Sequence, residues 1–284
     1  MEKFLIKGSS SKGVKGSINC SGAKNAVLPL MASSILFEDT VTLTNVPLGA
    51  NDIQTMIILL KSLGSKVQII KKKKILKITN KKKHKLLVKY KYISTMRAGV
   101  LAMGALLGKY NKCSTALSGG CSLGPRPIGY HLAGFKKLNC KYNLNKGYIN
   151  INSPTGIKGG HFRFPRVSVT GTSNLILASV LANGITILKN ISIEPEVLDL
   201  IKFLRNGGAR IYNIGKRTIK IFGVKKLNGH QHEVIGDRIE AFSYLCAAAI
   251  TKGKIKIKRI DPKHLTTELK VLKKIGCKIK VDKS

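Results

Sequence analysis

The sequence predicts an α/β fold assembled from repeated βαβαββ units, and three observations carry that reading. First, an apolar stretch rich in small residues recurs four times, usually running into a short strand-like segment. Its copies are 26–36 followed by Val41-Thr-Leu-Thr, 99–107, 173–181 followed by Ile185-Thr-Ile-Leu, and 239–250 followed by Lys254-Ile-Lys-Ile. Second, between these copies lies a helical pattern that ends in Gly or Asn and passes into alternating polar and apolar residues, at 59–67, 135–142, 203–211 and 271–279. Third, 284 residues with 43% apolar content are enough for one large or two medium cores.

Self-similarity at this spacing is the mark of a repeated architecture. Gly64 and Gly276 suit the left-handed position that closes a helix, and Asn139 is the tolerated substitute. The residues after each closure alternate, as in Lys278-Ile-Lys-Val, and read as half-buried strands. Four units run from about Ser21 onward, with no low-complexity linker between them, and the fourth reaches its penultimate strand at the last residues.

Composition narrows the class. No run of about eighteen apolar residues suggests a membrane span. The opening Met1-Glu-Lys-Phe-Leu-Ile-Lys alternates like a strand and lacks a signal-peptide core, so a cytoplasmic protein without a membrane partner is expected. The formal net charge is +38, from 51 Lys plus Arg against 13 Asp plus Glu. A nucleic-acid binder is one reading of that charge. Drift toward Lys, Ile and Asn is the other, and it is favoured by hairpin-like clusters such as Lys71–Lys74, 6% aromatics, no Trp and no nucleic-acid motif. No nucleic-acid partner is therefore expected, although such a surface draws anionic small molecules. Six cysteines without a C-x-x-C pair argue against a disulfide framework or a zinc site, and no metal or other cofactor is expected. Each cysteine is by default a small buried apolar residue, with Cys121 set apart by its loop.

Four loops collect chemistry. Cys20-Ser-Gly-Ala-Lys24-Asn25 leads into the first helix, whose N-terminal N–H groups suit an anion, with Lys24 adding a full charge. Arg97 follows Ser94-Thr-Met at another helix start, where the helix dipole disfavours a cation unless an anion joins it. Ser118-Gly-Gly-Cys121-Ser-Leu-Gly-Pro-Arg126-Pro127-Ile128 is too rich in Gly and Pro for helix or central strand, and Arg126 favours a thiolate at Cys121. Arg166-Val167-Ser168-Val169-Thr-Gly-Thr-Ser opens a third helix with capping residues. Ordinary caps, solvated cations and a packed cysteine explain each loop singly. A repeat gathers equivalent loops on one face, so together they point to a phosphorylated or carboxylated small molecule beside a thiol. His230-Gln-His232 reads as a solvated strand pair, and Glu194-Pro-Glu196 and Asp237-Arg-Ile-Glu240 read as helix starts or salt bridges.

At these loops the chain resembles the UDP-N-acetylglucosamine enolpyruvyl transferase family. The resemblance rests on six motifs in order: Ser21-Gly-Ala-Lys-Asn25, Thr95-Met-Arg-Ala98, Gly119-Gly-Cys-Ser-Leu-Gly-Pro-Arg-Pro127, Val167-Ser-Val169, Glu194-Pro-Glu196 and Asp237-Arg-Ile-Glu240. It implies an inside-out α/β barrel of two domains built from six units. Residues 22–235 would form one whole domain, and residues 1–21 plus 236–284 part of a second, incomplete one. It also implies a transferase that moves the enolpyruvyl group of phosphoenolpyruvate to the 3-hydroxyl of UDP-N-acetylglucosamine, releasing phosphate, in peptidoglycan synthesis.

By the same resemblance Cys121 would be the proton donor and the site of adduct formation and of fosfomycin alkylation. Lys24 and Asn25 would meet phosphoenolpyruvate, with Arg97 and Arg126 in the same anion-rich region. Arg126, Pro127, Ile128, Gly129 and Tyr130, with Arg166, Val167, Ser168 and Val169, would line the nucleotide-sugar site. Gly129 stands where an Asp is common, and Arg166 where Lys is frequent. The family's catalytic Asp and its later arginines have no counterpart in this sequence, so weak turnover is expected of it. The sister reaction on shikimate 3-phosphate is the nearest alternative, but its family carries an Asn-Ala-Gly-Thr type of loop where this chain has Gly-Gly-Cys.

Overall fold

The computed structural model describes residues 5, 13–80, 83–93, 96–116 and 128–282, with residues 97 and 98 described by their backbone alone. The chain divides into two compact units, residues 24–234 and residues 1–23 together with 235–284. It enters the smaller unit as β1 (Lys15–Asn19) and passes into the larger one at Lys24.

The larger unit repeats one pattern three times. The first copy is α1 (Lys24–Ser33), β2 (Val41–Thr44), α2 (Asn51–Leu63), β3 (Lys66–Ile70) and β4 (Ile75–Thr79). The second is β5 (Leu87–Val88), α3 (Tyr90–Ile93), α4 (Leu101–Tyr110), β6 (Lys112–Ala116), α5 (Gly129–Lys137), β7 (Lys141–Asn145) and β8 (Tyr148–Asn152). The third is β9 (His161–Arg163), α6 (Val169–Ser179), β10 (Ile185–Lys189), α7 (Pro195–Asn206), β11 (Arg210–Gly215) and β12 (Thr218–Phe222), after which β13 (Gln231–Glu233) ends the unit.

Each copy owns a four-stranded sheet of the same design. A short edge strand lies parallel to a central strand, and the central strand is antiparallel to the second arm of a hairpin. In the second and third sheets the edge strands β5 and β9 open their copy. In the first, β13 takes that place beside β2, with Gln231 opposite Thr42. The last strand of the unit thus completes the first sheet.

Three helices, α1, α4 and α6, form the inside of the unit. Residues 26–33 of α1, 101–108 of α4 and 171–179 of α6 are all buried. These stretches are apolar or small on every side, and a helix without a polar face is stable only when surrounded. Close approach is built in with glycine. A Cβ on Gly104 would stand 2.4 Å from Asn174 O, and one on Gly108 2.5 Å from Leu177 O. Register advances together along α4 and α6, so the two run parallel. At the far end Lys109 of α4 donates to Leu36 O just beyond α1, at 3.3 Å. At the near end α1 packs against the 3-10 turn Arg97–Val100 that leads into α4. The N-terminal ends of α1, α4 and α6 therefore gather at one end of the unit.

Helix closures fall where the sequence predicts them. Gly64, Asn139 and Gly276 take positive φ of 116°, 67° and 95°, and Asn111 ends α4 in the same way. Four phenylalanines, Phe37, Phe135, Phe164 and Phe203, are among the largest fully buried side chains.

The smaller unit holds α8 (Arg238–Ile250), β14 (Lys254–Lys258) and α9 (Thr266–Lys274). β1 and β14 form a parallel pair, with Ile18 opposite Ile257. Cys20, Ala241 and Leu265 form its buried centre. α8 has the sequence of an inner helix, yet only Ala241 and Ala248 are buried in it, and Ile239 and Ile250 are 52% and 85% exposed. Two features of this unit differ from the sequence expectation. Cys246, on α8, is exposed and Cys277 is half-buried, so not every cysteine is a buried apolar residue. Residues 277–282 form no strand. Their counterparts β3, β7 and β11 each pair solely with the next arm of a hairpin, and no such arm follows among the described residues.

Candidate functional site

Lys24 is the first residue of α1, and Asn25 beside it is exposed. The ammonium of Lys24 lies 2.7 Å from Asp52 Oδ2, in the first turn of α2. The approach to α1 is fixed from the other side of the motif. Ala23 N–H donates to Ile235 O at 2.8 Å, and Ser21 N–H donates to the Glu240 carboxylate at 2.8 Å. Asp237 caps α8 by accepting from the N–H groups of Ile239 and Glu240, so the Asp237-Arg-Ile-Glu240 motif both starts a helix and holds the segment before Lys24.

Cys20 is buried, and burial first, then the nearby carboxylates of Glu240 and Asp237, push its thiol up to about 11. It is not poised as a nucleophile at neutral pH. Cys121, Arg126 and Pro127 lie outside the described residues, as do Ser94 and Thr95. Arg97 opens the 3-10 turn Arg97–Val100 directly before α4.

That turn is held by Asn174 of α6. Its Oδ1 accepts from Gly104 N–H at 2.8 Å, and its Nδ2 donates to Val100 O at 3.0 Å. Val100 is the N-cap of α4 and Gly104 lies one turn on, so the amide reinforces the first turn of α4 where the 3-10 turn passes into it. Asn174 Nδ2 also meets His131 Nδ1 at 2.8 Å, tying in α5.

The other predicted positions divide between scaffold and surface. Ser168 is the N-cap of α6, its Oγ accepting from Gly171 N–H at 3.1 Å, so its hydroxyl is committed to the helix. Arg166 is exposed. Val167 and Val169 are 44% and 43% exposed, apolar surface that a bound molecule can cover. Ile128 O accepts from the N–H groups of His131 and Leu132 at the start of α5, and Tyr130 is half-buried. Among the described residues, a Cβ at Gly129 would meet nothing within 4 Å.

Sequence reasoning missed three residues. Asp52 and Asp199 share a signal: the chain has 13 acids against 51 basic residues, so each retained acid invites a question. Asp199 overturns the expectation for His232. His232 is buried, and its Nε2 lies 2.9 Å from Asp199 Oδ1, so it is a core residue and not a solvated one. Asn174 carried no signal beyond its place in a helix. Among the described residues no group of three or more His, Cys, Asp or Glu is arranged to hold a metal ion, and no helix is long and apolar enough to cross a membrane. A groove of about 740 Å³ lies on the sheet β5-β6-β8-β7, lined by Lys112, Tyr142 and Asn150 among others, rather than at the helix ends.

The chain matches, over residues 9–284, a family model described as EPSP synthase (3-phosphoshikimate 1-carboxyvinyltransferase). It is 46% identical over all 284 residues to the UDP-N-acetylglucosamine 1-carboxyvinyltransferase of Pelagibacter ubique, of which it covers 67%. It is 42% identical to that of Endomicrobium trichonymphae, again covering 67%. The chain spans about two thirds of the length of these curated relatives. Among solved structures, the enolpyruvyl transferase NikO from Streptomyces tendae aligns with a TM-score of 0.83 at 15% identity, over 95% of this chain and 64% of that one. EPSP synthase from Acinetobacter baumannii aligns with a TM-score of 0.74 at 21% identity, over 94% and 60%. The fold is that of these transferases.

Proposed function

This chain belongs to the EPSP synthase family, and we propose that it serves the transfer of the enolpyruvyl group of phosphoenolpyruvate to the 3-hydroxyl of UDP-N-acetylglucosamine, with release of phosphate. The reading is supported by one observation above the others. The N-terminal ends of α1, α4 and α6 meet at one end of the larger unit, and Lys24 stands at one of them. Helix N-termini carry partial positive charge and N–H donors, and a cation added there makes a receiver for phosphate and carboxylate.

In this reading Lys24, Asn25, Arg97 and Arg126 hold phosphoenolpyruvate. The acceptor hydroxyl attacks C2 and releases its proton to water while the Cys121 thiol gives a proton to C3, forming a tetrahedral ketal. The C2–O bond to phosphate then breaks, phosphate leaves, and C3 returns the proton to give the enol ether. Cationic side chains are strongest where charge builds on the departing phosphate. The nucleotide sugar lies along Arg126, Pro127, Ile128, Gly129, Tyr130, Arg166, Val167, Ser168 and Val169, with exposed Val167 and Val169 under its apolar parts. Residues 22–235 act as the domain that carries these groups. The setting is peptidoglycan synthesis in the cytoplasm, with phosphoenolpyruvate and UDP-N-acetylglucosamine as the small-molecule partners.

The test combines two measurements. Fosfomycin should add covalently to Cys121, read by peptide mass spectrometry, and UDP-N-acetylglucosamine, but not shikimate 3-phosphate, should raise the melting temperature. A chain whose Cys121 stays unmodified, or which is stabilised by shikimate 3-phosphate instead, would contradict this reading.

A further inference from the structure

Lys24 is paired in a way that the charge of the chain does not explain. A protein with a net charge of +38 attracts anions without help. A carboxylate beside the lysine expected to bind phosphate lowers the local positive charge. What it supplies is geometry. The Lys24 side chain is 42% exposed and, unpaired, would sample many rotamers on its flexible stem. Asp52 is not mobile in that way. It sits in the first turn of α2, where the helix dipole favours a carboxylate, and the buried face of α2 packs against α1.

We propose that Asp52 is a positioning residue, which holds the Lys24 ammonium at the mouth of α1 so that it is in place before phosphoenolpyruvate arrives. An ammonium has three N–H donors. Asp52 engages one, and the other two remain to face phosphate oxygens. Confining the lysine beforehand removes an ordering cost from ligand binding, which is the general source of gain from preorganisation. This inference rests on the reading of Lys24 as a phosphoenolpyruvate contact. Half-exposed ion pairs contribute little to folding, so neutralising Asp52 should leave the fold intact and expose its effect on the ligand.

The experiment is a double-mutant cycle on the whole chain, with phosphoenolpyruvate affinity read by calorimetry in the presence of UDP-N-acetylglucosamine. Lys24→Ala should weaken binding by roughly 10- to 100-fold, the scale of a charge-assisted hydrogen bond. Asp52→Asn, which keeps shape and removes charge, should weaken it by about 3- to 10-fold when Lys24 is present and have no further effect when Lys24 is Ala. Asp52→Glu, one methylene longer, should fall between. Asp52→Asn binding like the wild type, or weakening binding equally in both backgrounds, overturns the positioning role and leaves Lys24 as a ligand contact. Lys24→Ala binding like the wild type, or a wild type that binds no phosphoenolpyruvate, overturns the reading of the site and this inference with it.

Discussion

Replacing Asn174 tests how the helix ends are held together. Its amide satisfies Gly104 N–H and Val100 O and meets His131, all in the buried interior between α4, α5 and α6. In Asn174→Ala the three contacts vanish and a small void opens. Val100 is the N-cap of α4, so its carbonyl and Gly104 N–H keep the helix bond between them, a partial recovery that limits the loss. Three bonds at about 1 kcal/mol each, less that recovery and plus the void, give about 2–4 kcal/mol of destabilisation. Asn174→Asp keeps the shape and the acceptor facing Gly104, but cannot donate to Val100 O and buries a charge. It should therefore cost at least as much as the alanine. For a unit of this size each kcal/mol is about 2–4 °C, so the melting temperature should fall by about 4–16 °C. Urea unfolding followed by circular dichroism gives the free energy, and differential scanning calorimetry the temperature. A loss below about 0.5 kcal/mol in both variants, the range of ordinary surface substitutions, would refute the claim that the amide joins the helices.

Acid should weaken the fold through His84. Burial, and then the charge of Lys109, holds its imidazole below the ordinary value of 6.5, so the unfolded chain binds the proton first. Its contribution is present above pH 6.5 and is lost as the pH falls below it; urea midpoints at pH 7.5 and 5 should show this, with a smaller difference in His84→Gln. Among the cysteines of the described residues, Cys246 should react first with a thiol reagent at pH 8. Cys20 and Cys140, with thiols pushed up mainly by burial to about 11 and 12, should stay unmodified, as should fully buried Cys113, read by peptide mapping. Gly223→Ala should destabilise the larger unit by about 1–3 kcal/mol in urea, because a Cβ there would lie 1.6 Å from Ala182 O, backbone that cannot turn aside. Amides of α8 should exchange with deuterium faster than those of α1, since so little of α8 is buried.

The repeat was legible because it is written in local chemistry. Small apolar helices, their Gly or Asn closures and the alternating strands are each visible within a dozen residues, and β2, β10 and β14 fall at the strands read after the first, third and fourth helices. What local pattern could not supply was pairing at a distance. Nothing around Gln231–Glu233 says that it joins β2, nearly two hundred residues earlier in the chain. Lys278-Ile-Lys-Val alternates as a strand should, yet a strand needs a neighbour, and the described residues offer it none. Alternation records which face can be buried; it does not record whether a partner exists to bury it.

The candidate site divides along the same line. Arg97 is legible because a cation near a helix start conflicts with the local dipole, and Lys24 and Arg166 because they stand beside helix starts that suit an anion; both signals can be seen in one stretch of sequence. Asp52 has no such conflict. An acid in a first turn is ordinary, and it becomes informative only through its distance to Lys24. Scarcity could have drawn attention to it. Among the described acids, Glu38 meets Lys109, Asp199 meets His232, Glu268 faces Arg238, Glu240 holds Ser21, and Asp237 and Asp261 cap helices. In this basic chain, each of these acids fixes a specific donor in space. Cations are abundant enough for some to stand free, so a Lys or Arg reveals less by its presence than by the carboxylate that holds it.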